Sequence, residues 1–240
     1  MKKTILILAI PLLCYYGISQ ENQREYSLPQ FIDISTVNQF GSGSISIFIA
    51  NPEKPYVGFK GNPYLDENFI EGVMVVDDTI RVRNFPLRYN LFKQNMEFIS
   101  KDEIYYIINP FRVNYLEFDK KKFLYICYAD KGDDFNGYFE VLEEGKCDLY
   151  RRYTCRLEEG YYNKALSAGD RSYKYVKFEH YYMSKDNEPA VKIKAKKGSL
   201  FKIMTENKVE INNYIKENKL KLTKEEELIK LVNYYNSLHH

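Results

Sequence analysis

From residue 70 to residue 195 the chain repeats one texture: four to eleven residues rich in Val, Ile, Leu, Tyr and Phe, then a few polar ones. Read as strands, the apolar runs cover residues 70–76, 80–83, 87–92, 96–99, 104–108, 111–118, 123–128, 137–142, 147–157, 173–183 and 191–195. Asp77-Asp78, Asn84, Gln94-Asn95, Lys101-Asp102, Asn109-Pro110 and Asp119-Lys120 stand between neighbouring runs as turn residues. Ile80 and Val82 alternate with Arg81 and Arg83, the pattern of a strand with one wet face. In 173–183 both faces carry aromatics, which predicts a strand covered on both sides. Connections this short join antiparallel neighbours and cannot carry a parallel crossover, so the middle of the chain is expected to be a meander. Upstream, residues 20–43 are polar and weakly patterned, 45–49 read as a first strand, and 51–63 form a loop rich in proline and glycine. Eleven or twelve strands exceed what one flat sheet holds. The expected fold is mainly β (α+β): an antiparallel meander forming a curled sheet, open barrel or sandwich.

After residue 198 the period changes from two to 3.6. Ser199 is placed to cap a short helix carrying Leu200, Phe201 and Met204, and residues 208–217 repeat with Val209, Ile211, Tyr214 and Ile215. Thr223 and Glu226 have the spacing of a capping box before Leu228, Leu231, Val232, Tyr235 and Leu238, which share one stripe. A stripe of that width is suited to covering the domain's own sheet, so two or three C-terminal helices are expected to pack on it. No repeat or low-complexity linker divides the chain, which reads as a single β-rich domain over 20–240 with a helical part at about 199–238.

The N-terminus adds an address. Lys2 and Lys3 precede an apolar run over residues 5–13, and Gly17-Ile18-Ser19 places small side chains three and one residues before Gln20. This is the layout of a secretory signal peptide spanning 1–19 and cut after Ser19. The run is roughly half of what a helix needs to cross a ~30 Å hydrocarbon core, so no integral membrane span is expected after cleavage. Cys14 follows Leu12 and Leu13 where a lipoprotein signal would place a small residue. The expected location is exported: periplasm, cell envelope or extracellular.

Removing that leader changes the charge reading. The chain has 35 Lys and Arg against 33 Asp and Glu, and the leader's two lysines leave 33 of each sign. Net neutrality removes the argument for a nucleic-acid partner, which needs net or clustered positive charge. Lys192, Lys194, Lys196 and Lys197 are the one basic cluster, and the first two alternate with Val191, Ile193 and Ala195 as the wet face of a half-buried strand would. Twenty-three Tyr and 15 Phe with no Trp suit pleated, half-wet surfaces, and tyrosine also suits binding surfaces. Cys127, Cys147 and Cys155 remain after processing, an odd number that leaves at least one thiol unpaired or paired between chains.

The chemistry inventory is thin. Apart from the terminal His239 and His240, the one histidine is His180, which on a strand shares a face with Phe178 and Tyr182 and so reads as structural. No nucleophile elbow, phosphate loop, zinc-protease or dinucleotide motif occurs. Asp130-Lys131-Gly132-Asp133-Asp134-Phe135-Asn136-Gly137 clusters hard oxygen ligands but departs from the calcium-loop template at Gly132, Phe135 and Val141, and reads as a solvated loop between strands. No residue is assigned a catalytic, cofactor-binding or metal-ligating role, and no cofactor is expected. A membrane-spanning barrel is disfavoured by strands shorter than the ~9 to 11 residues needed and by the charged helices at the end.

Gly61-Asn62-Pro63-Tyr64-Leu65, Pro86-Leu87-Arg88-Tyr89-Asn90, the stretch 137–146 and the stretch 224–231 with Tyr234-Tyr235-Asn236 resemble a group of uncharacterised, exported β-rich proteins of Bacteroidota-type bacteria. The resemblance implies an exported address and carries no activity. The leading expectation is a soluble cell-envelope protein, non-enzymatic, that binds or scaffolds: its tyrosine-rich concave face would take an apolar ligand such as a lipid, or a protein partner. The rival is a carboxylate-dependent hydrolase of envelope polysaccharide or peptide using Asp130, Asp133 or Asp134, which requires two carboxyl groups ~5 to 9 Å apart in a cleft. A third reading is a structural subunit joined to another chain through its helical tail or an unpaired cysteine.

Overall fold

The structure is a computed structural model that describes residues 30–33, 48–50, 59–100, 102–169 and 172–239. The expected signal peptide at 1–19, with Cys14, and residues 45–47 of the expected first strand lie outside the described residues. The strands are β1 (Gln30–Asp33), β2 (Phe48–Ala50), β3 (Ile70–Val76), β4 (Ile80–Asn90), β5 (Asn95–Ser100), β6 (Glu103–Ile107), β7 (Val113–Phe118), β8 (Lys121–Asp130), β9 (Asp133–Glu143), β10 (Cys147–Glu159), β11 (Tyr162–Asn163), β12 (Ala168–Gly169), β13 (Tyr173–Lys185) and β14 (Ala190–Lys192). Three helices follow: α1 (Lys197–Leu200), α2 (Lys208–Glu217) and α3 (Glu225–Ser237).

Twelve strands form one continuous sheet in the order β14-β13-β10-β9-β8-β7-β3-β4-β5-β6-β2, with β1 parallel on β4. The β14 strand also pairs in parallel with β8, at Ala190↔Tyr128 and Val191↔Ala129. That contact closes β8, β9, β10, β13 and β14 into a five-stranded barrel, and β3 to β7 extend from it as a curled sheet. Turn chemistry explains the sharp reversals. Asp119-Lys120 and Lys131-Gly132 join their strands with two residues at positive φ, the turn whose twist matches a hairpin.

The expected meander needs one correction. The β7 strand does not lie beside β6; it pairs with β3. The β4 strand runs unbroken through Asn84 (φ 51°) and Pro86, where a break was expected, and shifts register opposite Gly72 to Met74. Its first half borders β1 and its second half borders β5. The sheet therefore curls enough for residues 108–112, including a single 3-10 turn at Pro110–Arg112, to carry the chain back to the free edge of β3. Gly72 permits the pairing there: a Cβ on it would stand 2.3 Å from the Glu117 carbonyl oxygen and 2.9 Å from the Phe118 Cβ.

Three apolar clusters hold the fold. Phe85, Leu87, Tyr89, Phe98, Leu116 and Phe123 fill the curled sheet and meet Tyr138 and Tyr153 on the outer wall of the barrel. Tyr128, Phe139, Tyr150, Tyr182 and Ala190, one from each barrel strand, fill the interior with Leu124, Ile126 and Val141. Cys147, Leu149, Met183 and Ile193 face outward and are covered by Leu200, Met204, Ile211, Leu228, Leu231, Val232 and Tyr235. The β10 and β13 strands are covered on both faces only at the end the helices reach, around Cys147, Leu149 and Met183; the aromatic pattern of 173–183 predicts cover along the whole strand, but Tyr173, Lys174, Lys177 and Glu179 are exposed where β10 and β13 run on as a ribbon.

Local corrections appear at the C-terminal elements. The last strand is Ala190–Lys192, where 191–195 was expected, and its phase is shifted: Ala190 and Ile193 are buried while Val191 is 46% exposed. Closure against β8 sets that phase, because Ala190 must fit beside Tyr128 inside the barrel. The Thr223–Glu226 capping box does not form; α3 starts after Lys224, which makes no side-chain cap. Ser199 sits inside α1, where its Oγ accepts a hydrogen bond from the Lys194 N–H at 3.0 Å.

Candidate functional site

Above the Arg151↔Glu140 pair, β9 and β10 part, and β10 continues as a two-stranded ribbon with β13 alone. Period two then fixes what faces the resulting barrel mouth: Arg152, Thr154 and Arg156 from β10, Phe178 and His180 from β13, Lys192 from β14, Tyr128 and Asp130 from β8, and Asp133, Phe135 and Gly137 from β9.

Arg152 is the first β10 residue past the parting. Its guanidinium carbon lies 4.3 Å from the centre of the Tyr128 ring and 5.8 Å from that of Phe139, a cation–π arrangement. Its Nη2 donates to Gln94 Oε1 at 3.3 Å. Gln94 fills the parting between β9 and β10: its amide donates to the carbonyls of Leu91 (2.7 Å) and Tyr153 (3.0 Å) and accepts from the Tyr89 hydroxyl (3.2 Å). Arg152 Nε is buried without a hydrogen-bond acceptor among the described residues. Gly137 leaves the space, since a Cβ there would already touch Tyr128 at 3.4 Å and Arg152 Nε at 3.7 Å.

His180 lies directly across from Arg152, its ring stacked on Phe178 with centroids 6.4 Å apart. Partial burial and then the charges of Lys192 and Arg152 hold its pKa below the usual imidazole value. At neutral pH it is therefore an uncharged ring between two cations. Asp130 is felt at Tyr182, whose hydroxyl pKa is raised chiefly by burial. Further along the ribbon Arg156 covers Phe178 at 4.5 Å and pairs with Glu158.

The structure therefore unites His180, Lys192 and the Asp130 to Asp133 turn, which lie on separate strands in the sequence. The other members of the lysine cluster go elsewhere: Lys194 and Lys196 are exposed, and Lys197 reaches Asn212 and the Phe201 ring. Asp130 and Asp133 are cross-strand partners at a two-residue turn, while Asp134 points to the opposite face. All three are exposed at the hairpin. No three His, Cys, Asp or Glu side chains gather into a metal site among the described residues. Cys147 and Cys155 are free thiols, Cys147 buried under the helices and Cys155, like Cys127, half-buried.

A second polar centre had no sequence signal. Arg151 faces outward from the barrel between Glu140 (2.8 Å), Glu225 of α3 (2.6 Å) and Glu179 (3.5 Å). The Tyr153 hydroxyl donates to Glu140 at 2.5 Å and the Tyr181 hydroxyl to Glu225 at 2.8 Å, and burial with these carboxylates drives both phenol pKa values up. Every group has a partner, so the centre clamps α3 to the barrel wall and offers no free valence for a substrate.

Among the described residues the mouth thus brings together the cations Arg152 and Lys192, the His180 imidazole and the rings of Tyr128, Phe135 and Phe178. No known protein family, curated protein or solved structure matches this chain.

Proposed function

We propose that the chain is an exported, non-enzymatic binding module of the cell envelope and that it engages a protein partner across the barrel mouth. One observation carries the choice of partner over apolar ligand. The interior of the barrel is filled by Tyr128, Phe139, Tyr150, Tyr182 and their aliphatic neighbours, so the tyrosines that suggested a lipid chamber are packed against one another. Phe135, 45% exposed beside Tyr128 at the rim, offers an aromatic anchor of the kind that centres protein interfaces. Export rests on the leader at 1–19. No helix among the described residues is long and apolar enough to cross a membrane.

The test is a photo-crosslinking amino acid placed at Phe135, with Val209 on the exposed side of α2 as the control position, in the full chain expressed with its leader. The expected result is one discrete protein adduct from position 135 and none from 209, on a chain whose mass begins at Gln20. Equal crosslinking from both positions, a co-purifying lipid adduct, or a retained leader on a cytosolic product would overturn the proposal.

A further inference from the structure

We propose that the barrel mouth is a receiving site for an oxyanion, held by Arg152, His180 and Lys192. The inference rests on the binding-module reading and names what the mouth recognises, a carboxylate borne on an acidic segment of the partner.

The geometry comes from barrel closure. Arg152 and His180 are directly opposed on β10 and β13, and Lys192 enters from β14 opposite Tyr182, one diagonal step from His180. The three basic groups thus come from three adjacent strands and share one face. Tyr128 under the guanidinium blocks one side of its plane, so its remaining hydrogen-bonding capacity lies along its edge. Gln94 and the Tyr182 hydroxyl take positions on that edge, and Nε is a buried charged donor without an acceptor among the described residues. A donor in that state carries a desolvation cost that an anionic acceptor recovers, and a charge-assisted bond of this kind is stronger than a neutral one.

The local field has the right sign. The charged groups acting on His180 are Lys192 and Arg152, both cationic. Among the other elements lining the mouth, β8 contributes Tyr128 and Asp130, the latter acting on Tyr182; β9 contributes Phe135 and Asp133 at the hairpin tip; and β10 adds Arg156, already paired with Glu158. Glu179, next to His180 in sequence, points to the opposite face and pairs with Arg151. A positive field at a neutral imidazole has a thermodynamic consequence: an anion seated there offsets the two cations and favours the imidazolium. Binding therefore takes up a proton, and affinity rises as the pH falls through the usual imidazole range.

The experiment follows the His180 Cε1–H resonance of the mature full chain against pH, at constant ionic strength, in chloride alone, with inorganic phosphate, and with a blocked triglutamate peptide. The proposal expects the His180 titration midpoint to move up in at least one anion arm, and that anion to bind at least threefold tighter at pH 6 than at pH 8. A shift with the peptide and none with phosphate identifies a protein-borne carboxylate; a shift with both identifies a general oxyanion site. Lys192→Gln, at an exposed position, is expected to fold normally and weaken binding several-fold, and His180→Gln to abolish the pH dependence while binding at pH 8 persists. Superimposable titrations in all three solutions, or unchanged affinity in Lys192→Gln, would overturn the site. Failure here with a specific crosslink at position 135 removes anion recognition and keeps the binding module; coupling without any crosslinked protein keeps the site and removes the protein partner.

Discussion

Asn236 is expected to be worth more to stability than any other polar side chain of α3. It is 4% exposed, and its amide does what a neighbouring strand would do for the start of β10: Oδ1 accepts from the Cys147 N–H at 2.9 Å while Nδ2 donates to the Cys147 carbonyl at 3.0 Å and the Glu144 carbonyl at 3.5 Å. Paired register between β9 and β10 begins only at Leu149↔Glu143, so Cys147 lies beyond the end of that ladder and is served by a helix side chain. Asn236→Ala strands a buried N–H and a buried C=O, each costing ~1 to 3 kcal/mol, and with the weaker third bond the expected loss is about 3 kcal/mol. At a slope of ~3 kcal/mol per molar, the urea midpoint followed by circular dichroism falls by about 1 M. Asn236→Asp sharpens the test. It keeps the acceptor for Cys147 but sets a second oxygen against two carbonyls, which favours the protonated acid. Its folded pKa is then raised above the unfolded value, so the variant loses stability relative to the parent as pH rises above about 4 and is worse at pH 7 than at pH 4. A midpoint within 0.2 M of the parent for Asn236→Ala (~0.2 M being the scatter of such fits), or a pH-independent deficit for Asn236→Asp, would refute the reasoning.

Three further outcomes are expected. Glu206 is held near a pKa of about 2 by hydrogen bonds from Lys146 and then Lys185, so its contribution is present above 4.5 and is lost as pH falls toward 2. Glu206→Gln should flatten the acid limb of the stability profile, and an unchanged slope between pH 4.5 and 2 counts against the cluster. Burial pushes the Cys147 thiol up to about 12, so at pH 8 only about one molecule in 10⁴ carries the thiolate. Iodoacetamide mapped by mass spectrometry should modify Cys147 after unfolding and not before; labelling in the native state contradicts its placement under the helices. Gly72→Ala drives a Cβ into the Glu117 carbonyl and should cost about 2 to 4 kcal/mol, or roughly 5 to 15 °C in Tm, whereas a drop below ~2 °C would mean that β3 and β7 are not so closely paired.

Strand positions were legible because the turns are local chemistry. Residues 70–76 form a strand with the bounds the pattern predicts, and Asp119-Lys120 makes the reversal its composition suggests. Adjacency was not legible, because period two says which face a residue takes and nothing about which strand lies beside it. So the return of β7 to β3, the parallel docking of β1 from within a polar stretch, and the closure of β14 on β8 through two residue pairs had no sequence signature. The helix starts show the opposite case, a local signal overridden by tertiary structure. Glu225 is held by Arg151 and Tyr181, and with α3 fixed from its first residue Thr223 is left outside the helix.

The candidate site follows the same division. His180 and Lys192 were each visible as a single residue on a single strand, and each had a bland reading of its own. Their meeting depends on the register of closure: Ala190 seats beside Tyr128, and that sets Lys192 at the opening on the face it shares with His180 and Arg152. A one-residue slip would turn Lys192 outward and bring Val191 into the barrel, where a larger side chain would meet the packed Tyr182 and Phe139. Packing of the interior therefore selects the register, and the register assembles the basic face of the mouth. The aromatic filling of the barrel is in this way the cause of the polar surface at its rim.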